Sequence, residues 1–484
     1  MKRRSLKKNA ILNALRSIIA VIFPLVTYPY AARVVGVEHI GRVDYVAHYM
    51  EYFTLLATFG TTTFAIRECA AVRDDRRTAD EQASEIWTFS LCTTLISLVL
   101  MVILILVYGR LHSYAPIFAI QCTSVVFTTL GADWINVVYE NFGYVTVRGV
   151  VINILNMVLL FTFVRSPEDY LVYAFLNIAT PVFIGISNMF YIRRFVTLRP
   201  FFSSRLKELT GRLWPFFINE FSIAIYVGAD SIILGIIRGD YLVGIYSVAV
   251  KIYTIVKSVF IAIFSVTLSR LSEHAAHREE DQFRAILSGV ISVFIILGIP
   301  AMTGMILYAE PIVLLVGGDD YVRAAGSLRL LAIALIFAVF GGIVTNCIDV
   351  PLGFEKVNSR ATVIASVENI VLNIPFIFLW DEYGAAASTI MAEMTVLVYC
   401  IVMLKRSGVS LPGIISGRCL RDSAVGVLFM IAVYFPVRLL DNYVAVIIAG
   451  VLLSVVVYFG AILILKNPII LEGKEKLLNK LQHR

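Results

Sequence analysis

Charge is what this sequence has least of. Asp, Glu, Lys and Arg together make up 15% of 484 residues, while 59% are hydrophobic. A soluble globular domain draws about a quarter of its residues from those four types, so that class is excluded. Mean hydropathy is +0.84. Cysteine is scarce as well: Cys69, Cys92, Cys122, Cys347, Cys400 and Cys419 show no paired spacing. They read as small apolar fillers, with neither a disulfide framework nor a metal site. Signatures of chemistry are missing too. Without a Walker A loop the chain encodes no direct ATP drive, and HExxH, CxxC and GxSxG are absent. The acidic pair in "GGDDY", residues 317–321, lies in a short loop with no soluble domain around it; a turn explains it better than a glycosyltransferase site. An enzyme is therefore not expected, and no cofactor is implied. The strand-length alternation of an outer-membrane barrel is also missing.

What the sequence has is long apolar runs. Each stretch of about 20 such residues can cross a bilayer as a helix. Fourteen spans are expected, starting near Ile11, Val43, Ile86, Tyr114, Tyr144, Tyr170, Leu213, Val243, Phe283, Ala325, Ala361, Ala385, Cys419 and Val444. The chain is thus read as an all-α polytopic membrane protein. Its net charge of +7 does not indicate nucleic acid, because the basic residues sit in short loops between spans. Arg33, Arg42, Arg110, Arg165, Arg238, Arg323, Arg329 and Arg438 fall at one side, and Arg16, Lys251 and Lys257 fall inside spans. The rest of the 41 Lys and Arg gather at the other side. This asymmetry places both termini in the cytoplasm. The start "MKRRSLKKNA" resembles a signal n-region, but the apolar segment after it is too long for an h-region and contains Arg16, so it is expected to be retained.

The expected organisation is an N-terminal lobe over 1–195 and a cytoplasmic interfacial linker over 196–212. A C-terminal lobe over 213–405, two accessory spans within 406–466 and a basic tail over 467–484 follow. The linker, within "RRFVTLRPFFSSRLKELTGR", is basic and aromatic and is expected to lie on the lipid surface. A faint repeat supports the two lobes. Gly36 and Gly41 recur as Gly239 and Gly244, 203 residues and six spans later. Parallel repeats of this kind build transporters with the binding site between them, although tight turns favour glycine in any case.

A charge at the bilayer centre costs roughly 2.5–3.5 kcal/mol on insertion scales, so polar residues in spans should share a protected face. In span one, Asn9, Asn13, Arg16 and Thr27 share one, flanked by Ser17 and joined by Pro24. Arg16 either faces a cavity there or snorkels to the headgroups. In span two, Asp44, His48, Glu51, Thr58 and Thr62 lie within an arc of about 80°. Carboxylates beside an imidazole suit a proton or a cation, or simply tie helices together. In span eight, Lys251, Thr254, Lys257 and Ser258 share a face. Two ammonium groups there need anions, either a bound ligand or carboxylates such as Glu220, Asp230, Glu368 and Glu393. Together these faces suggest a cavity for an amphipathic anion.

The residues also resemble a family. "YPYAARVVGVEHIGRVDYVAHYMEYF" is similar to the first two helices of the polysaccharide flippases, the Wzx-like O-antigen and capsule translocases of the multidrug/oligosaccharidyl-lipid/polysaccharide exporter superfamily. The match rests on Tyr28-Pro29-Tyr30, Arg33, Gly36, Gly41, Tyr52-Phe53 and Arg67-Glu68. Asp133-Trp134, Glu140, Phe142 and Arg148 resemble its fourth loop region, with Tyr139 where a small residue is expected. Asp230, Gly235, Gly244, Tyr246 and Lys251 resemble its seventh and eighth spans, and "GGDDYVRAAGSLRLLAIA" its outer loop before span ten.

The resemblance implies two pseudo-symmetric six-helix lobes forming a V around a central cavity, with two accessory C-terminal helices. It implies transfer of an undecaprenyl-pyrophosphate-linked oligosaccharide between leaflets by alternating access. Arg16, Asn13, Lys251, Lys257, Thr254 and Ser258 would then face the polyprenyl-pyrophosphate-linked glycan. From their shared face, Asp44, His48 and Glu51, with Asp230, are read as the link to a proton or sodium gradient. Membrane lipids and, in the pathway, a glycan polymerase and a chain-length regulator would be partners. A small-molecule exporter of the same superfamily, a lipid II flippase and a membrane glycan polymerase are the alternatives.

Overall fold

The computed structural model describes residues 23–202, 206–409 and 414–471. Every regular element among them is helical. Helix α1 covers 23–35. It is followed by α2 (Val37–Thr58), α3 (Thr61–Val72), α4 (Arg76–Val107), α5 (Ala115–Gly131), α6 (Trp134–Val138), α7 (Phe142–Phe163) and α8 (Tyr170–Tyr191). Next come α9 (Leu206–Arg238), α10 (Asp240–Ala276), α11 (Glu280–Leu307), α12 (Ala309–Val316) and α13 (Ala324–Ile343). The chain ends with α14 (Glu355–Arg406), α15 (Gly417–Val437) and α16 (Tyr443–Ile464).

Among the described residues, eleven segments are long and apolar enough to cross a membrane. The other three of the fourteen expected spans have plain explanations. The first begins outside the described residues. The second is α2, whose Glu38, Arg42, Asp44 and Glu51 make it too charged to qualify. The eleventh and twelfth both lie in α14. That helix is broken at Asp381 (φ 54°, ψ −133°), and Ser388 Oγ donates back to Asn373 Oδ1 at 2.7 Å. Fifteen residues of straight helix would hold those two atoms roughly 22 Å apart, so the two arms fold into a hairpin.

Helix α4 turns aliphatic side chains outward and packs hydroxyls inward. On α4, Leu95, Ile96, Val99 and Leu106 are exposed, while Thr88, Ser90, Thr94 and Ser97 are buried. Lipid leaves no hydrophobic drive between helices, so small and hydroxyl side chains hold them. Ser97 Oγ donates to the Phe53 carbonyl at 2.6 Å, and Thr94 and Thr129 share a hydrogen bond of 2.7 Å.

Two compact units divide the chain, Met1–Gly244 and Ile245–Arg484. In the first, α2 packs against α4, α5, α8 and α9. The division falls one span beyond the 196–212 linker because α9 packs along α2 and α3. In the second unit, α13 packs on α11 and α14, and the last two spans, α15 and α16, pair with each other and lie on α11 and α12. Tyr458 fixes them there, donating to the Ile296 carbonyl at 2.8 Å.

Part of the expected interfacial linker straps α4. Amides of Thr197, Arg199 and Phe201 donate to Asp80 Oδ1 (2.9 Å), Ser84 Oγ (3.1 Å) and Thr88 Oγ1 (2.8 Å). The geometry matches: one helical turn of four residues rises about 6 Å, close to the roughly 6.6 Å covered by two residues of extended chain. Phe202 beside the strap remains exposed.

Candidate functional site: a polar seam at membrane depth

On α2, His48 Nδ1 lies 3.8 Å from Glu51 Oε2. Helix α9 meets the pair at Gly228, where an added Cβ would fall 3.0 Å from His48 Nδ1 and 3.7 Å from Glu51 Oε2. Glycine lets the two helices close over the imidazole. Asp230 is buried on the same helix; its Oδ1 accepts from the Ser231 amide at 2.7 Å. The carboxylates of Glu51, Asp230 and Asp44 all act electrostatically on the His48 ring. Of the other three expected coupling residues, Glu51 lies beside His48, and Asp44 and Asp230 reach it only through their charge. An imidazole beside a carboxylate can hold a proton; among the described residues no three such side chains come together closely enough to share a metal ion.

The α2–α9 seam is fastened at both ends. At one end, Arg42 Nε is 3.7 Å from Asp240 Oδ2, Tyr114 donates to Asp240 Oδ1 at 2.6 Å, and Arg110 donates to the Ile236 carbonyl at 2.5 Å. At the other, Arg212 bonds Glu68 at 2.8 Å, Thr63 donates to Glu220 at 3.4 Å, and the rings of Phe59 and Phe217 stack at 4.4 Å. Tyr52 and Phe221 approach to 6.0 Å between them.

The repeated glycines meet at the Arg42 end. A Cβ on Gly41 would lie 1.9 Å from the Asp240 carbonyl oxygen, and a Cβ on Gly244 would lie 2.1 Å from that of Val37. The 203-residue offset carries 37 onto 240 and 41 onto 244, so the two contacts are images of each other. Gly36 and Gly239 begin the two segments with φ +81° and +86°, a region that suits glycine.

The cationic face of α10 is engaged by protein. Lys257 Nζ donates to Glu393 Oε1 at 2.6 Å, and Tyr253 donates to the same oxygen at 3.0 Å. Among the carboxylates considered from sequence, the fold selects Glu393. Lys251 is half-buried and has a partner of its own. Thr254 is exposed, and Ser258 Oγ donates to the Ile255 carbonyl of its own helix at 2.7 Å. Arg16 and Asn13 lie outside the described residues.

A second polar cluster escaped the sequence reading as a site. Asp133 Oδ1 receives Arg148 Nη2 at 3.0 Å, Asn188 Nδ2 at 2.9 Å and Asn136 Nδ2 at 3.0 Å. Arg148 also reaches Asn188 Oδ1 and lies over the Tyr144 ring. Asp133 and Arg148 stand in the motif that carried the family resemblance; Asn188, on α8, gave no signal of its own. The cluster joins α6, α7 and α8, its donors shared between the Asp133 carboxylate and the Asn188 amide oxygen, which suits it to holding helices together.

This is the fold of a multi-pass membrane transporter. It is similar to a structure titled lipid II flippase MurJ, inward closed conformation, with TM-score 0.73, 17% identity, and 96% of this chain and 99% of that one covered. It is also similar to an inward-facing multidrug resistance MATE family transporter, with TM-score 0.61, 17% identity, and 85% and 97% covered. Within that class the chain belongs to the polysaccharide biosynthesis protein family, whose profile matches residues 6–273. A Shigella dysenteriae protein that bears the name of an O-antigen transporter is 21% identical over 413 residues, 83% of this chain and 100% of that protein.

Proposed function

We propose that this protein is a flippase that moves undecaprenyl-pyrophosphate-linked oligosaccharide repeat units from the inner to the outer leaflet of a bacterial cytoplasmic membrane. The repeat units would feed O-antigen, capsule or exopolysaccharide assembly by a glycan polymerase and its chain-length regulator. Both termini face the cytoplasm in this reading. The observation that carries it is the pair of polar faces, α2 with α9 and α10 with Glu393, in the spans of a polysaccharide biosynthesis family member. A diphosphate is a hydrophilic anion, and a lipid environment solvates it poorly. Lys251 and Lys257 with Thr254 and Ser258, joined by Arg16 and Asn13 from span one, would take it up, with Glu393 exchanged for diphosphate at Lys257.

Asp44, His48, Glu51 and Asp230 would hold the proton or sodium ion whose gradient drives net movement. With lobes at 1–195 and 213–405, the α2–α9 seam is where the lobes part in alternating access. Leaflet accessibility of the lipid-linked repeat unit in vesicles tests this. Lys251→Ala with Lys257→Ala should abolish transfer in protein that still inserts. Intact transfer in that variant would remove the binding assignment. Glu51→Gln should uncouple transfer from the ion gradient.

A further inference from the structure

Helix α13 runs into a π-helical turn, Val344–Asp349, in which the Val350 amide reaches five residues back to the Thr345 carbonyl at 3.1 Å. Such turns are uncommon and frequently mark functional positions. The side chain that ends this one is Asp349. It is 0% exposed; neither carboxylate oxygen has a hydrogen-bond partner of good geometry, and the one donor that acts on it is the weak Cys400 thiol.

The elements packed on the turn are α13 and α14. The one charged residue of α13 is Arg329, twenty residues earlier and so roughly 30 Å away along the helix. From α14, the titratable group that acts on Asp349 is the buried Cys400 thiol. The other buried acids of α14 are already held: Glu393 by Lys257 and Tyr253, and Glu382 by Arg323. Among the described residues Asp349 has no cation. An ionised carboxylate with no counter-charge and only a thiol for a donor is costly in a protein interior, which favours uptake of a proton.

We propose that Asp349 is a proton-binding site, carrying its proton in this conformation and releasing it to water when the π-helical turn rearranges. The proton would leave toward a cavity at the next turn of the chain. This cavity of about 520 Å³ is lined by His274, Glu279, Leu352, Gly408 and Val409, among others. Leu352 continues the Asp349 turn, its amide donating to the Ile348 carbonyl at 3.1 Å. At the cavity, His274 Nδ1 and Glu279 Oε2 are 2.6 Å apart, a pair able to pass a proton on. The site adds to the coupling assignment of the preceding section and differs from it in place, so it is tested without any glycan.

Infrared spectra of the purified full-length protein supply that test. At mildly acidic pH the wild type should show a protonated-carboxyl C=O stretch that Asp349→Asn removes, and the band should fade reversibly as the pH is raised. An unchanged band in Asp349→Asn would mean that Asp349 is ionised. A band that persists in folded protein at alkaline pH would mean that the proton never exchanges. Either result overturns the proposal. Should Asp349→Asn fail to fold, the wild-type S–H stretch assigned by Cys400→Ser gives the readout. That stretch should shift across the same pH range, and a Cys400 band that does not move also overturns the site. None of these readouts depends on what the protein transports, so a failed flipping assay leaves them intact.

Discussion

Gly41 and Gly244 each stand where the other's segment leaves no room for a side chain, with the two contacted carbonyl oxygens, those of Asp240 and Val37, within 2.1 Å of an added Cβ. The contact is backbone against backbone on both sides, so no rotamer change relieves it. Gly41→Ala and Gly244→Ala should each force α2 and α10 apart at that end. Overpacking of this kind costs about 1–3 kcal/mol, and the melting temperature in detergent should fall accordingly. Gly36→Ala is the control. A Cβ at Gly36 meets nothing within 4 Å, so only the positive φ opposes it and the loss should be smaller. Equal losses at Gly36 and Gly41 would show that close approach is not what fixes glycine there.

The Lys257–Glu393 pair makes a different kind of prediction. Removing one partner of a buried pair strands the other, at a cost of about 3–5 kcal/mol when burial is complete. Glu393 is 7% exposed and Lys257 26%, so the lower end applies. Lys257→Met should destabilise the protein, and adding Glu393→Gln should recover most of the loss. A double variant no more stable than the single one would mean that the ammonium is not what neutralises Glu393.

The strap over α4 should be visible in amide exchange. Ser84→Ala and Thr88→Val leave the Arg199 and Phe201 amides without their acceptors. A hydrogen bond of this type contributes about 1 kcal/mol. Exchange at Arg199 and Phe201 should quicken roughly five-fold per lost bond, with α4 itself still protected. Unchanged exchange at both amides would show that the strap is held by something other than these side chains.

At the start of α4, Asp75 accepts from the Arg77 amide at 3.1 Å and from Thr78 Oγ1 at 2.5 Å. The Thr78 hydroxyl first, and then the amides of Arg77 and Thr78, hold the Asp75 carboxyl below its usual range. A depressed carboxyl stabilises the folded form above its unfolded value of about 3.9 and loses that contribution as pH falls through the folded value. Amides of the first turn of α4 should therefore exchange faster in acid than their intrinsic rates predict. Asp75→Ala should show that faster exchange at neutral pH and lose the acid dependence.

The sequence made some of this legible and hid the rest for physical reasons. The α2 stripe was readable because Asp44, His48 and Glu51 recur at helical spacing, and a charged stripe in a span must face protein. That Glu393 holds Lys257 was not, because choosing among four acids requires knowing which helices touch. The break at Asp381 was legible, because Asp381-Glu382-Tyr383-Gly384 interrupts the apolar run between the spans expected from Ala361 and Ala385. Asp80, Ser84 and Thr88 form a visible polar row, but their partners lie more than a hundred residues away, and no local rule joins them. Asp349 was hidden for another reason: it stands at the end of an apolar run, where an acid ordinarily marks the water boundary, and only burial and the missing counter-charge set it apart.

The glycine crossing also bears on how such a chain could have arisen. In an isologous interface, residue i of one copy meets residue j of the other, and j meets i. Positions 41 with 240 and 244 with 37 obey that rule once 203 is subtracted from the second half. A half-length ancestor presenting the surface around Gly41 and Val37 could have paired with its own copy through the same two contacts. Fusion of the two genes would then have inherited the joint ready-made, leaving each half free to acquire its own chemistry: acids and an imidazole on α2, lysines on α10.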